Sequence, residues 1–379
     1  MKVLIAIDSF KGSLSSIEAG EITAAAIRDI DKNIDVKIFP LADGGEGTVD
    51  ALTCGLGGKI IFTEVTGPLG NKIKSRYGII KNTAVIEMAD TAGITLVPAE
   101  KRNPLNTTTY GLGELILKAI DDGCREFIIG IGGSATNDCG LGMLTALGIK
   151  FFDANGNDVG IFGRDLKNVS SVDMKNLSSI LRECKFRIAC DVNNPLYGEN
   201  GCSYVYAPQK GATPEIVREM DSWIKNFAAT IEKQLGLIGA EMPGAGAAGG
   251  LGYAFKTFLN GKLEPGIDLV LDAVNIEREL ATADFVVTGE GRLDFQTAMG
   301  KAPVGVAQLA KKNNPNVTVI AVCGAATREA VEVNKHGIDA YFPIVQAPVT
   351  VEEAMNFSNA KLNLYQTVTQ IFNILKRRN

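Results

Sequence analysis

The chain has 379 residues, 46 % of them hydrophobic and 21 % charged, with a formal net charge of −5. That length exceeds what one hydrophobic core usually supports and predicts two domains. The acidic balance argues against a nucleic-acid surface, so an anionic ligand must be held by local cations and amides rather than by the overall field.

His336 is the one histidine. A histidine base or a zinc site built on several histidines is therefore nearly excluded, which leaves proton chemistry to carboxylates or lysines. The seven cysteines are scattered without a C-x-x-C pair and read as reduced, small core residues.

In chain order, MKVLIAID (1–8) is too short for a signal peptide or a membrane span. It predicts a buried strand, and with it a cytoplasmic protein. Ser15-x-x-Glu18 is a capping box that opens a helix over 16–30. Residues 66–104 read as a turn and a strand pair, and 109–122 as a helix stopped by Gly123. EFIIGIGGS (126–134) predicts a further buried strand running into a glycine-rich loop. Residues 149–210 hold short strands and turns, and Thr213-Pro214 starts a helix to about 235. ADFVVTGEG, VTVIAVCG and AYFPIV (283–291, 317–324, 340–345) predict three more buried strands. His336-Gly337 reads as the last turn and glycine cap of a helix. Thr350-x-x-Glu353 opens the final helix, which ends in Lys-Arg-Arg. This alternation means an α/β protein. The expected division is a discontinuous Rossmann-like domain over 1–65, 105–148 and 265–379, with a second domain over 66–104 and 149–264 inserted into it.

Polar or glycine-rich segments follow the apolar runs, where ligands of parallel sheets collect. Asp8-Ser9-Phe10-Lys11-Gly12 gathers a carboxylate, a hydroxyl and an ammonium, although a solvated turn has the same composition. Asp43-Gly44-Gly45-Glu46-Gly47 places two acids at a helix start near 46, which suits a bridging magnesium or a tight turn with acids on the helix dipole. Gly130-Ile131-Gly132-Gly133-Ser134-Ala135-Thr136-Asn137-Asp138 has a phosphate-cradle composition without being a P-loop or a dinucleotide fingerprint. Pro243 to Gly252 must let a backbone or ligand approach closely, or else is a flexible linker. Thr288-Gly289-Glu290-Gly291-Arg292-Leu293-Asp294, followed by Gly300-Lys301, offers carboxylates for metal and cations for phosphate, or a charged surface loop. Asp191, after the run FRIAC, is either a site residue or the start of an Asx-turn.

Taken together and in this order, DSFKGS (8–13), ADGGEGT (42–48), GPLG (67–70), TAVIEMA (83–89), GIGGSATND (130–138), CDVNNPL (190–196), GAGAAGG (244–250) and TGEGRLDFQT (288–297) with GK (300–301) resemble the type I glycerate kinases of bacteria. Cys139-Gly140 departs from the two small residues expected after Asp138. The resemblance implies an α/β fold of two domains, Rossmann-like and flavodoxin-like, with the active site in the cleft between them. It implies ATP and Mg2+ as co-substrate and cofactor, and D-glycerate as acceptor, phosphorylated at the 2-position or the 3-position. No nucleic-acid or membrane partner is expected, and a homodimer is compatible.

On this reading Gly132, Gly133, Ser134, Thr136, Asn137, Gly289, Gly291 and Lys301 bind ATP. Ser9, Lys11, Arg292 and Gly246 bind the acceptor, and Asp43, Glu46, Glu290 and Asp294 hold magnesium. Asp191 is the expected base, with Asp43 and Asp8 as rivals and Lys11 beside them. Three other readings remain open. A kinase of another small hydroxy acid or sugar acid would use the same phosphate machinery. A nucleotide-binding oxidoreductase lacks its fingerprint after the first strand, and a non-catalytic metabolite sensor would not need so many carboxylates.

Overall fold

The structure is a computed structural model that describes residues 1–175, 177 and 179–376. The chain is α/β and divides into two compact units. The first comprises 1–43, 50–56 and 267–379; the second comprises 44–49 and 57–266.

The first unit is built on a five-stranded sheet in the order Ala340–Pro343, Thr318–Ala326, Phe285–Leu293, Lys2–Ile7, Asp35–Ile38. Every pairing in it is parallel. The inner strands carry continuous apolar runs because helices cover both faces. Val3, Ile5, Ile7, Val287, Ile320 and Val322 are buried in one core. Helix Ser16–Ile30 and the C-terminal helix Phe357–Lys376 close it, the latter through Leu364, Val368, Ile371 and Phe372. That spacing puts the four residues on one helical face. The Tyr365 hydroxyl donates to Asp29 at 2.6 Å and ties the two helices at their outer edge.

The second unit holds a six-stranded sheet in the order Lys262–Glu264, Lys185–Ala189, Glu126–Gly130, Thr83–Glu87, Lys72–Ile80, Lys59–Thr66. The first four strands run parallel, and Lys72–Ile80 runs antiparallel to both of its neighbours. Helices Tyr110–Asp121, Pro214–Leu235 and Ala247–Leu259 bury Leu112, Leu115, Phe227 and Phe255 in the core with Ile86, Ile129 and Ile188 of the sheet.

Segment 105–148 lies in the second unit, contrary to the expected division. Its strand Glu126–Gly130 pairs with Thr83–Glu87 and Lys185–Ala189, not with Lys2–Ile7. An apolar run announces burial on both faces but carries no label for its partner, so the sequence could not assign it. Strand Lys59–Thr66 moves to the second unit for the same reason, paired along its whole length with Lys72–Ile80.

The caps form as their chemistry requires. Ser15 and Glu18 make the reciprocal capping box, and Thr213 accepts from the amide of Ile216. Thr350 and Glu353 also form a box, but it opens only the short helix Val351–Met355; the long one starts afresh at Phe357. Arg377 and Arg378, expected at its end, lie outside the described residues. His336 closes a 3₁₀ helix rather than an α-helix, followed by Gly337 at φ +98°. Among the described residues all seven cysteines are free, and no helix is long and apolar enough to cross a membrane.

Candidate functional site

Each unit carries its own cluster of polar groups at the carboxyl ends of its parallel strands. In the first unit, strands Lys2–Ile7 and Phe285–Leu293 run side by side with Ile7 opposite Gly289. The amide of Asp8 continues the ladder by donating to the Gly289 carbonyl at 2.9 Å. Asp8 and Glu290 therefore follow as the next cross-strand neighbours. Both are nearly inaccessible, at 4 % and 9 % exposure.

Burial pushes the Asp8 carboxyl up to about 7, and the charges of Asp43 and Glu290 push in the same direction. The Ser9 amide, 2.7 Å from Asp8 Oδ1, and Lys11 act against that rise. Glu290 is raised by burial and by Asp294 and Asp43, against the Thr297 hydroxyl, which donates to its Oε1, and Lys301. Asp8, Asp43 and Glu290 thus form one mutually repelling group of acids with Lys11 and Lys301 at its margins. Such a group is stabilised by a cation between them, or by a cation together with phosphate oxygens.

The expected magnesium set is only partly assembled. Among the described residues no three metal-binding side chains converge as a ready cage. Asp294 is committed to capping helix Phe295–Ala298, its Oδ1 accepting from the amides of Gln296 and Thr297 at 2.9 and 3.3 Å. Glu46 belongs to the second unit and is exposed. Asp8, expected as a rival base, stands beside Asp43 and Glu290. The donor set fits an ion that takes one or two carboxylates and completes its shell with phosphate and water, as magnesium does.

Residues 288–293 are not a loop. The strand runs through to Leu293, so Gly289, Gly291 and Arg292 lie on it, with Gly291 against the backbone of Phe10 and Lys11. Arg292 is exposed and its charge acts on Glu329. Lys301 is the N-cap residue of helix Ala302–Asn313.

In the second unit, the loop after strand Glu126–Gly130 splits into an exposed rim and a buried floor. Gly132 and Gly133 are exposed, and their amides make no hydrogen bond among the described residues. Ser134 is at the edge, 7 % exposed, while Thr136 and Asn137 are fully buried. Their expected role as ATP contacts does not suit that burial. Asn137 Nδ2 instead donates to Ser203 Oγ at 2.9 Å. Asp138 accepts from the amide and hydroxyl of Thr109 at 2.9 and 2.8 Å and from the amides of Gly140 and Gly142. It therefore holds the turn into helix Leu141–Ala146, and burial raises its carboxyl despite these donors.

The run 243–252 serves close approach of another backbone. Gly249 has φ +70°, and a Cβ there would lie 2.1 Å from the Thr136 carbonyl oxygen. Its own carbonyl accepts from the Cys139 amide at 2.9 Å. Only glycine meets both demands. Gly246, expected to touch the acceptor, is buried with the Pro195 carbonyl where its Cβ would stand. Asp191 lies exposed just past strand Lys185–Ala189. Its Oδ1 accepts from the distant Gly266 amide at 2.8 Å, so it fastens two chain segments.

Two functional-looking residues escaped sequence reasoning. Glu87, 3 % exposed at the end of strand Thr83–Glu87, accepts from the Val49 amide at 2.7 Å and from that of Gly47. It thereby fills amides at the start of helix Thr48–Gly55. Burial pushes it up to about 7, Asp90 adds to the rise, and the two amides and Arg76 oppose it. A carboxylate at the end of an apolar strand was the available signal. Lys210 is 2 % exposed under the loop 130–138 and had no local signal, since it follows Pro208-Gln209 in an ordinary turn.

The chain is similar to known proteins along nearly its whole length. The profile described as the glycerate kinase family matches residues 3–376. A Bacillus subtilis protein named glycerate kinase is 47 % identical over 98 % of this chain and 97 % of its own. An Escherichia coli protein named glycerate 2-kinase is 44 % identical over 97 % of this chain and 98 % of its own. A crystal structure assigned as glycerate kinase 2 from Salmonella typhimurium LT2 superposes with a TM-score of 0.92 at 44 % identity, covering 100 % of this chain and 98 % of that one.

Proposed function

The chain belongs to the glycerate kinase family, and we propose that it transfers the γ-phosphoryl group of ATP to the 2-hydroxyl of D-glycerate. The observation that carries this reading is the acid group Asp8, Asp43 and Glu290 with Lys11 and Lys301 beside it. Phosphoryl transfer asks the protein mainly for positioning and charge neutralisation. The 2-position follows the naming of the Escherichia coli relative. A cytoplasmic location goes with the use of ATP.

In this reading Asp43 and Glu290, with Asp8 behind them, would hold magnesium. The ion supplies charge neutralisation on the phosphate oxygens when bound. Lys11, Lys301 and Arg292 hold anionic oxygens, Lys301 as a point charge and Arg292 as a fork. Ser9, beside Asp8, offers a hydroxyl to the acceptor. The free amides of Gly132 and Gly133 receive phosphate. Asp191 orients the acceptor hydroxyl and takes its proton late, the Gly266 amide keeping the carboxylate in place.

A carbon-13 and phosphorus NMR time course with ATP, Mg2+ and D-glycerate tests it. 2-Phosphoglycerate is the expected product. 3-Phosphoglycerate would overturn the regiochemistry alone, and ATP binding without a phosphorylated product would discard glycerate in favour of another hydroxy acid.

A further inference from the structure

Lys210 sits in the second unit beneath the glycine-rich loop, at the end of the 3₁₀ turn Pro208–Lys210. Its Nζ donates to Ser134 Oγ at 2.7 Å and to the Thr136 carbonyl oxygen at 2.6 Å. No carboxylate among the described residues lies within ion-pair distance of it. Burying an ammonium that has only neutral partners is costly, and a chain usually avoids it by pairing the charge or turning it to solvent. Here the charge is instead held on Ser134 and Thr136 of the same loop in which the exposed Gly132 and Gly133 amides make no hydrogen bond among the described residues. These two features are independent, and both ask for a negative charge on the outer side of the loop.

We infer that Lys210 is a positioning residue whose buried charge makes the loop 130–138 a seat for the phosphate chain of a nucleotide. It acts through Ser134 and Thr136 and does not touch the ligand. The inference rests on the reading of this loop as a phosphate-binding element.

Charge linkage makes the idea measurable. In the free protein, burial lowers the Lys210 ammonium to about 8. The charged or titratable groups that face it are Asp138 of the loop and Cys202 of helix Cys202–Tyr206, both acting to raise it. The Cys202 thiol is itself pushed up to about 12 by burial, so it stays neutral in the range of interest. Asp221 of helix Pro214–Leu235 acts on Cys202, Cys139 and Tyr197 and is not among the groups that shift Lys210. A bound phosphate favours the protonated lysine, so nucleotide binding draws in a proton above pH 8 and weakens as pH rises. Between the free and bound titration points the loss approaches about tenfold per pH unit.

The experiment is calorimetric titration of the full chain with ATP and Mg2+, without acceptor, from pH 7.5 to 9.5 in two buffers of different ionisation enthalpy. Asp8 and Glu87, both near 7, are mostly ionised in that range. The wild-type protein is expected to take up a proton and to lose affinity with rising pH. Lys210→Gln keeps a donor for Ser134 and Thr136 but has no charge. It should bind ATP at least about tenfold more weakly at pH 7.5 and show neither the proton uptake nor the slope. Lys210→Met should do the same. A Lys210→Gln protein with wild-type affinity and slope overturns the inference. If neither variant folds, a wild-type affinity flat across this range overturns it by itself. Conversion of D-glycerate is scored separately. Normal turnover with a flat affinity removes only the role of Lys210, whereas a lysine-dependent slope without turnover removes only glycerate as acceptor.

Discussion

Glu290 stands next to Asp8 across two parallel strands, because the Asp8 amide reaches the Gly289 carbonyl at 2.9 Å. Two nearly buried carboxylates are held together by backbone pairing, which neither side chain can relax away. Burial is the largest cause of the rise of Asp8 to about 7, and the charges of Asp43 and Glu290 add to it.

The stability consequence has a definite sign. The folded state binds the Asp8 proton more tightly than the unfolded chain, whose value is the ordinary 3.8. That contribution is fully present below about pH 4 and is lost as pH rises through 7. Asp8→Asn removes the penalty, so the variant should gain on the wild type between pH 5 and pH 8. Each tenfold change in proton affinity is worth about 1.4 kcal/mol, so the gain should amount to a few kcal/mol. Urea unfolding at the two pH values checks it; equal differences at both would contradict the arrangement. Turnover should fall at least about 100-fold in the same variant.

Glu87 offers a second contrast. Glu87→Ala leaves the amides of Gly47 and Val49 without their acceptor and should cost about 2–3 kcal/mol. Glu87→Gln keeps an acceptor and removes a carboxyl that is half protonated near pH 7, so it should cost less than about 1 kcal/mol. Denaturant titrations at pH 7 separate the two; identical losses would mean that Glu87 acts by charge alone.

Asp191→Asn retains an oxygen for the Gly266 amide, so melting should be unchanged. Under the proposed role kcat should nevertheless drop at least about 100-fold. A folded Asn variant that turns over normally would remove Asp191 as the base, which single-turnover measurements decide.

Gly249→Ala meets two obstacles at once, the left-handed backbone and the Thr136 carbonyl oxygen. The loss of stability should reach about 2–3 kcal/mol. ATP affinity should weaken with it, since the Cys139–Gly249 hydrogen bond belongs to the same loop. A thermal melt with and without ATP reads both effects. An unchanged melt would show that the two backbones can separate freely.

What the sequence determined by itself was local. Ser15 and Glu18, Thr213 and Pro214, and the apolar runs at 3–8, 126–130 and 317–324 state their structure through capping chemistry and burial on both faces. The ordered motifs named the family, because glycines and carboxylates at strand ends reflect what the chemistry requires. Partnership across the chain was decided only by the tertiary structure. Nothing in EFIIG says that it pairs with Thr83–Glu87. Nothing near Thr136 says that its carbonyl faces a lysine 74 positions later, or that Asn137 is buried rather than offered to a ligand. Local signals arise from torsion and side-chain reach within a turn or two. The charge of a buried lysine and the raised carboxyl of Asp8 depend on which distant atoms exclude the water, and only the folded chain supplies them.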